Sequence, residues 1–368
     1  MDIHPEEPHP QTPDIEPREA PYSLLRQRLA DQEKTYGRRW SLFLDIDGTV
    51  LREGIDNAEF YNQIEEGLWG LTYVTGTDFP RMVRLIKEGK IKKPLAASTN
   101  LGTRRFYLKE SAVDKPNHEI EESDFQEDMD LKQKIITTGF DKMTLYKQLH
   151  PQAIDKLNND PRYSKFNLRF LWLEDTFDAA EYEKKWIPLD PDKFDLYITV
   201  AQGTTREELN EYQNALQKLF PQCDVLMYHN RNFANKDSEW NVHLLPRNAW
   251  GKDRFVQDIS KLLDTKGLIA GDSGNDVAQL MARYEGEGKD FIRAVVGGGK
   301  ADLLSIIRDE RINDERGGSL RKLNLDDTHQ VRMYDERNQE VKGSQSILYL
   351  MRLLERAWRR FGNTSRTA

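Results

Sequence analysis

Short apolar runs of strand length constrain the fold of this chain more than any other feature of its sequence. Each run has few polar interruptions, which is typical of strands that are buried on both faces, as in parallel sheets. Helical stretches such as Phe79–Gly89 and Lys252–Leu263 lie between several of the runs. This alternation predicts an α/β fold with a Rossmann-like, doubly wound parallel sheet. The strand candidates are Trp40–Asp45, Leu71–Thr75, Leu95–Ser98, Leu268–Ala270 and Arg293–Val296.

A second domain is expected between two parts of this sheet, because 368 residues exceed the usual size of a single core. The interval holds a charged, helix-like segment near Ile120–His150 and a capping box at Thr205–Glu208. Further strand candidates there are Asn167–Leu173, Phe194–Ala201, Cys223–His229 and Asn241–Leu245. The predicted organisation is a disordered, proline-rich tail (1–21), a first core segment (22–105), an inserted α+β cap domain (106–245), and a second core segment with a C-terminal helix (246–362).

Composition excludes several classes of function. The chain has 54 Lys and Arg against 62 Asp and Glu, a net charge of −8, so we expect neither nucleic acid nor an anionic membrane as a partner. A single cysteine, Cys223, permits no intrachain disulfide or cysteine-based zinc site. The sequence has no apolar run of membrane-spanning length and no basic signal-peptide start, so we expect a cytoplasmic protein, acting as a monomer.

Two carboxylates follow the first predicted strand, in Asp45-Ile-Asp-Gly-Thr49. Ligands of parallel sheets bind at the carboxyl ends of strands, and Asp45 occupies such an end. Asp45 could attack phosphorus to give an aspartyl-phosphate, while Asp47 protonates the leaving oxygen and later deprotonates water. The alternative to a catalytic role is that Asp45 and Asp47 are an ordinary pair of acidic residues where a strand passes into a turn.

A second acidic cluster, Gly271-Asp-Ser-Gly-Asn-Asp276, follows the strand at Leu268–Ala270. Asp272 would lie at a strand end, and Asn275 and Asp276 would open the next helix. Placed beside Asp45 and Asp47, these acids would repel one another unless a hard cation neutralised them, and Mg²⁺ suits such an oxygen-rich site. A capped helix start is the alternative, especially for Ser273 and Asn275.

Two further groups would complete a site for phosphoryl transfer. Thr75 and Gly76 end the second strand and offer a hydroxyl and a backbone N–H to a phosphoryl oxygen. Lys252, which follows Gly251 at a helix start, could offset the charge of the transferred group. Taken singly, a threonine at a strand end or a lysine on a helix is usually turn or surface chemistry.

In this order, Asp45-x-Asp-Gly-Thr49, Val74-Thr-Gly76, Gly251-Lys252 and Gly271-Asp-Ser-Gly-Asn-Asp276 resemble the four motifs of the haloacid dehalogenase (HAD) superfamily of phosphatases. The long interval between the second and third motifs corresponds to the superfamily's second cap type. Tyr73-Val-Thr-Gly76, Asn100-Leu-Gly-Thr103 and His243-Leu-Leu-Pro246 are most similar to the sucrose-phosphate phosphatase-like group. The resemblance spans about residues 40–305, with departures at Thr77, His243 and Gly297–Gly299.

The resemblance implies a role for each matched residue. Asp45 would be the nucleophile and Asp47 the acid and base, while Thr75 and Lys252 would hold the phosphate. Gly76, Asn100 and Gly102 would contact the substrate. Asp45, the Asp47 carbonyl and Asp272 would bind Mg²⁺, and Asn275 and Asp276 would orient that set of ligands.

The function expected from these residues is a Mg²⁺-dependent phosphatase for a sugar phosphate or a similar small phosphorylated metabolite. A phosphatase for a phosphoglycerate-linked glycoside or a nucleotide, and a non-catalytic module that binds a phosphorylated metabolite, are the alternatives. A pure binding module has no use for both Asp45 and Asp47. Lys165, Arg169 and His243 are the candidates in the cap domain for selecting the substrate.

Overall fold

The computed structural model describes residues 21–142, 144–145, 155–170, 194–201, 203–229, 239–272, 276–280, 291–296, 333–334, 340–341 and 343–362. The predicted tail, except Pro21, therefore lies outside the described residues, as do Asn275 and the segment Gly297–Gly299.

The helices and strands follow one another along most of the described chain. The helices are α1 Ser23–Tyr36, α2 Ala58–Glu66, α3 Phe79–Lys87, α4 Met129–Thr137, α5 Asp155–Asn159, α6 Arg206–Leu219, α7 Lys252–Leu263, α8 Val277–Leu280 and α9 Ser344–Gly362. The strands are β1 Trp40–Leu44, β2 Gly70–Val74, β3 Ala96–Thr99, β4 Arg104–Leu108, β5 Phe125–Glu127, β6 Arg169–Phe170, β7 Phe194–Thr199, β8 Cys223–His229, β9 Glu239–Pro246, β10 Lys266–Gly271, β11 Ile292–Val295, β12 Met333–Tyr334 and β13 Glu340–Val341. Single 3₁₀ turns span Asn100–Gly102, Glu110–Ala112, Asn117–Glu119, Glu122–Asp124 and Ser164–Phe166.

A seven-stranded sheet forms the core, with the order β11-β10-β1-β2-β3-β4-β5. The strands from β11 to β3 are parallel; β4 then pairs antiparallel with β3, and β5 pairs antiparallel with β4. This order confirms the predicted α/β class. It also places β1 between β2 and β10, so the carboxyl ends of the three strands that carry the first, second and fourth motifs are neighbours.

Both faces of this sheet are buried, which explains the unbroken apolar runs. In β1, Leu42 and Leu44 pack on the face covered by α2 and α3, where Met82 lies. Phe43, between them, packs on the opposite face with Phe255 of α7. Successive side chains of a strand point to opposite faces, so a strand covered on both sides is mostly apolar. The buried hydroxyl of Thr72, inside β2, donates a hydrogen bond to the carbonyl oxygen of Leu42 on β1.

The helix α9 completes the cover on the α2 face. Trp358 packs against Trp40 and Trp69, with ring centroids 5.7 and 5.1 Å apart. The carboxylate of Glu355, which is buried, accepts hydrogen bonds from Trp69 Nε1 at 2.8 Å and from Gln63 Nε2 at 2.9 and 2.8 Å. These bonds satisfy a charge that would otherwise be costly to bury.

A separate four-stranded antiparallel sheet has the order β6-β7-β9-β8. Its apolar face packs against α6, where Val242 and Leu244 meet Tyr212 and Leu216. The predicted capping box of α6 is confirmed: Thr205 Oγ1 accepts from the Glu208 N–H at 3.2 Å. In return, Glu208 Oε2 accepts from the Thr205 N–H at 2.8 Å.

The predicted start of the inserted domain at residue 106 is wrong, because β4 and β5 belong to the large sheet. The rings of Phe106 and Phe79 of α3 are stacked, with their centroids 3.6 Å apart, and Phe125 packs edge-on against the ring of Phe79. The aromatic side chains therefore attach this segment to the core. The predicted helical segment from Ile120 begins with a turn and a strand, and α4 starts only at Met129.

Candidate active site

Asp45 lies directly after β1, in the middle of the large sheet. Its backbone N–H donates to the carbonyl oxygen of Ala270 at 3.0 Å, which extends the pairing of β1 with β10 by one residue. The side chain is buried, and its Oδ1 accepts a hydrogen bond from Lys252 Nζ at 3.1 Å. The strand thus carries the carboxylate into a buried site without an additional loop.

Asp272 and Asp276 reach the same site from the end of β10. Asp276 Oδ2 accepts from the Asp272 N–H at 2.9 Å, and Asp276 Oδ1 accepts from Lys252 Nζ at 2.5 Å. Gly48 makes room for this arrangement: its φ is +80°, and a Cβ there would lie 2.2 Å from Asp272 Oδ2. The glycine of the first motif is therefore needed for the approach of the fourth.

The carboxylates of Asp45, Asp272 and Asp276 offer oxygen atoms that all lie within 4.8 Å of one another. Burial raises the pKa of Asp45 well above its usual value, and the negative charges of Asp276 and Asp272 add to that rise, while Lys252 opposes it. Among the described residues of the site, three carboxylates and one ammonium carry a net charge of −2 when all are ionised. Buried oxygen ligands with this net charge fit a hard divalent cation.

Lys252 is the buried cation of the site. Burial alone would lower its pKa, but the carboxylates of Asp276 and Asp45 raise the pKa above its usual value, so Lys252 is charged at neutral pH. It occupies the first position of α7, as the sequence predicts.

The turn Asn100–Gly102 fixes the start of α7. The Gly251 N–H donates to the carbonyl oxygen of Leu101 at 3.2 Å. Gly102 has a φ of +94°, and a Cβ there would lie 2.4 Å from the carbonyl carbon of Gly251. Asn100 and Gly102 are buried. The structure therefore places Gly102, which the resemblance assigns to the substrate, in backbone contact with the residue before Lys252.

Thr75 and Gly76 lie at the neighbouring strand end. Thr75 is buried, and its Oγ1 accepts a hydrogen bond from the Thr77 N–H at 3.1 Å. Gly76, between them, is half-buried. The structure thus brings Thr75 to the same edge of the sheet as Asp45, on the adjacent strand β2.

Asp47 lies at the mouth of the site and is not part of the three-carboxylate cluster. Its side chain is 44% exposed. Its Oδ2 accepts from Thr77 Oγ1 and its Oδ1 from Arg81 Nη2, both at 2.8 Å. Sequence reasoning missed Arg81, although its place in the first turn of a helix that starts directly after the Thr75-Gly76 motif was a usable signal.

The candidates in the smaller sheet fall on two different faces. Val242 and Leu244 face α6, so His243, between them, lies on the opposite face. We call this the polar face; its described members include Arg169, Tyr197, Thr199, Asn241 and His243. Arg169 stacks on Tyr197 at 4.5 Å and donates from Nη2 to Thr199 Oγ1 at 3.0 Å.

Lys165 lies on the α6 side instead. It forms an ion pair with Glu208 of α6, and its ammonium lies 5.2 Å from the ring centroid of Phe166, which packs in the α6 cluster. These contacts attach Lys165 to the apolar side of the smaller sheet, away from the polar face.

No family model matches the chain, and no curated protein matches it. Among solved structures, it is similar to the sucrose-phosphatase from Synechocystis sp. PCC6803 in complex with sucrose and phosphate. The identity is 14%, the alignment covers 85% of this chain and 97% of that one, and the TM-score is 0.49.

Two further solved structures are similar to the chain. The haloacid dehalogenase-like hydrolase yhjK from Bacillus subtilis is 15% identical, with 76% of this chain and 91% of that one covered and a TM-score of 0.40. The HAD subclass IIB sugar phosphatase BT4131 is 14% identical, with 72% and 90% covered and a TM-score of 0.35. The chain is thus similar to solved structures that carry the HAD name, the superfamily that its four motifs resemble.

Proposed function

We propose that the chain is a metal-dependent phosphatase that hydrolyses a sugar phosphate or a similar small phosphomonoester through an aspartyl-phosphate. One observation carries this proposal: a buried carboxylate at a strand end, Asp45, shares a site with Lys252 and two further carboxylates. A structural ion pair needs one carboxylate for one lysine. The excess of buried negative charge is costly unless it serves to bind a cation and a reacting group.

In the first step, a carboxylate oxygen of Asp45 forms a bond to phosphorus as the bond from phosphorus to the leaving oxygen breaks. Asp45 Oδ1 accepts from Lys252, which leaves Oδ2 for the attack. Lys252 offsets charge on the transferred phosphoryl group, and Thr75 holds one of its oxygens. Asp47 donates a proton to the leaving oxygen, so that an alcohol departs.

In the second step, water replaces Asp45 on phosphorus. Asp47, now a carboxylate, takes a proton from the water as the water oxygen bonds to phosphorus and the bond from phosphorus to Asp45 breaks. Inorganic phosphate and the original carboxylate are the products, and Asp47 is protonated again. Asp47 is exposed enough for water to reach it, whereas Asp45 is buried.

Mg²⁺ fits the chemistry of this site, and Asp45 and Asp272 would hold it while Asp276 orients Asp272. When bound, it would neutralise charge on the phosphoryl oxygens and on the carboxylates of the site. Asp276 accepts hydrogen bonds from Lys252 Nζ, the Asp272 N–H and Gln279 Nε2, so it orients Lys252 and Asp272.

The polar face of the smaller sheet supports a hydroxyl-rich leaving group. Arg169, Asn241 and His243 place polar groups on neighbouring strands of this face, where Asn241 and His243 are buried, and Asn241 is paired in register with Tyr197. Asp224 of β8 accepts from Trp250 Nε1 at 2.7 Å, and Trp250 lies two positions before Lys252. The smaller sheet is therefore attached to the segment that delivers a residue of the site.

The test is a panel of phosphorylated sugars, glycosides and nucleotides, each assayed with and without Mg²⁺. We expect Mg²⁺-dependent release of phosphate, highest with a sugar phosphate. Asp45→Asn should lower turnover by several orders of magnitude, because a near-isosteric amide cannot attack phosphorus. Asp31→Asn, an exposed change on α1, is the matched control and should leave turnover unchanged.

Two results would contradict this proposal. Binding of phosphomonoesters by the wild-type chain without turnover would favour the non-catalytic binding module. Turnover by Asp45→Asn above a tenth of the wild-type rate would remove Asp45 as the nucleophile. A nucleotide as the best substrate would keep the phosphatase activity but replace the proposed substrate class.

A further inference from the structure

Two side chains hold both carboxylate oxygens of Asp47. Thr77 Oγ1 donates to Oδ2 and Arg81 Nη2 donates to Oδ1, each at 2.8 Å. A carboxylate oxygen has two lone pairs, so each oxygen keeps one free to bind a proton or a reacting hydroxyl. The carboxylate is thus fixed in orientation without being blocked.

Both donors are positioned by the turn between β2 and α3. Asp78 is the N-cap of α3, and its Oδ1 accepts from the Arg81 N–H at 2.7 Å, which sets Arg81 in the first helical turn. The Thr77 N–H donates to Thr75 Oγ1, and the Thr77 carbonyl oxygen accepts from the Asn100 N–H at 3.1 Å. Thr77 is therefore tied to the ends of β2 and β3.

Stability does not explain this arrangement. The side chains of Arg81 and Asp47 are 41% and 44% exposed, and an ion pair with that exposure adds little to the free energy of unfolding. Two donors placed on opposite oxygens do, however, remove the rotational freedom of the carboxylate. Precise orientation is what proton transfer requires.

We propose that Arg81, together with Thr77, is a positioning residue that orients Asp47 for both proton transfers. This inference rests on the proposed function. In the first step the oriented carboxyl group gives its proton to the leaving oxygen as the bond from phosphorus to that oxygen breaks. In the second, the oriented carboxylate takes a proton from water as water displaces Asp45 from phosphorus. Arg81 itself gains and loses no proton.

The test compares Arg81→Met and Thr77→Val with Arg84→Met, an exposed arginine one turn further along α3. With an alkyl phosphate, we expect Arg81→Met and Thr77→Val to lower kcat by at least about 10-fold and to change KM less than about 2-fold, since the losses are in proton transfer. With an activated aryl phosphate, whose leaving group needs no proton, a fast burst of phenolate should precede slow turnover. Arg81→Lys should recover part of kcat, and Arg84→Met should match the wild type.

The decisive measurement is a double-mutant cycle. If Arg81 acts only through Asp47, Arg81→Met should change the rate less than about 2-fold in an Asp47→Asn background. A full effect in that background overturns the inference, as does an Arg81→Met effect on KM alone or a kcat equal to that of Arg84→Met. Wild-type protein that hydrolyses no phosphomonoester overturns the proposed function and this inference together, whereas active wild type with unaffected Arg81→Met overturns only the latter.

Discussion

The large sheet carries apolar side chains on both faces, whereas the smaller sheet is apolar on one face and mostly polar on the other. In the large sheet, Phe43 and Leu44 are both buried in cores on opposite faces, so the central strands are mostly apolar and their charged groups lie where the strands end. In the smaller sheet, Val242 faces α6 while Asn241 and His243 line the polar face. The difference separates two tasks: strand ends concentrate a few reacting groups, and a polar face offers many contacts to a larger ligand.

The largest effect is expected at a strand end. Asp272→Asn should lower turnover on the order of 10³-fold for every substrate, because a metal ligand supports several kcal/mol of charge stabilisation. The measurement is kcat/KM for a sugar phosphate and for an aryl phosphate across a Mg²⁺ titration, with Asp31→Asn as the control. A loss for the sugar phosphate only would mean that Asp272 selects the substrate and does not support the reaction itself.

Gly102→Ala should destabilise the large sheet strongly, and a matched glycine shows why. Gly102 and Gly139 have φ values of +94° and +72°, but a Cβ would lie 2.4 Å from Gly251 at the first position and within 4 Å of nothing at the second. Positive φ costs an alanine roughly 1–2 kcal/mol, and the backbone clash adds to that cost at Gly102. Urea unfolding should therefore give a free-energy loss of about 3 kcal/mol or more for Gly102→Ala and about 1 kcal/mol for Gly139→Ala.

Equal losses in the free energy of unfolding for Gly102→Ala and Gly139→Ala would mean that the turn Asn100–Gly102 is not in close contact with Gly251. Lower turnover of folded Gly102→Ala protein would show in addition that the turn sets the position of Lys252.

A smaller effect is expected on the polar face of the smaller sheet. Arg169→Gln and His243→Gln should lower the ratio of kcat/KM for the best sugar phosphate to that for an aryl phosphate by roughly 10-fold, because contacts on the polar face would add binding energy for the larger substrate alone. Lys165→Gln is the matched control, since Lys165 pairs with Glu208 on the α6 side. The same ratio in all three variants would show that the polar face does not select the substrate.

The smallest effect concerns the apolar face of the same sheet, where Cys223 is buried. Burial raises the pKa of its thiol to about 12, and the neighbouring Asp224 adds to the rise. At pH 8 the folded protein should therefore leave a thiol reagent unreacted, because the thiolate is the reactive form. The urea-unfolded chain is the control and should react once per molecule; rapid labelling of the folded protein would show that this face opens.

The parts of the molecule that the sequence predicted well have local signals. The helix α7 spans Lys252–Leu263, as its pattern predicts, and β1 ends one residue before Asp45. Both follow from apolar periodicity and from glycine or acidic residues at the boundaries. The meeting of Asp45, Lys252 and Asp272 follows because parallel strands place their carboxyl ends at one edge.

The parts that the sequence predicted poorly depend on contacts between distant residues. The strands β4 and β5 are short and lie in a charged stretch, and they join the core through pairing with β3 and through the stacking of Phe106 on Phe79. The pairing of Arg81 with Asp47 joins the first turn of α3 to the loop after β1, and these two segments are 34 positions apart in the sequence. The backbone contact of Gly102 with Gly251 likewise arises only once β3 and α7 lie side by side.

The pairing of β1 with β10 has a consequence for synthesis of the chain. The hydroxyls of Ser41 and Thr265, on and beside these strands, lie 3.3 Å apart although 224 positions separate them. Until β10 has left the ribosome, β1 has an open edge, and such an edge can pair with other chains. The smaller sheet and α6 lie entirely within that interval and can close their own apolar face first. We therefore expect the smaller sheet and α6 to fold before the large sheet is complete. The reacting groups at the ends of β1 and β10 can come together only after β10 has been synthesised.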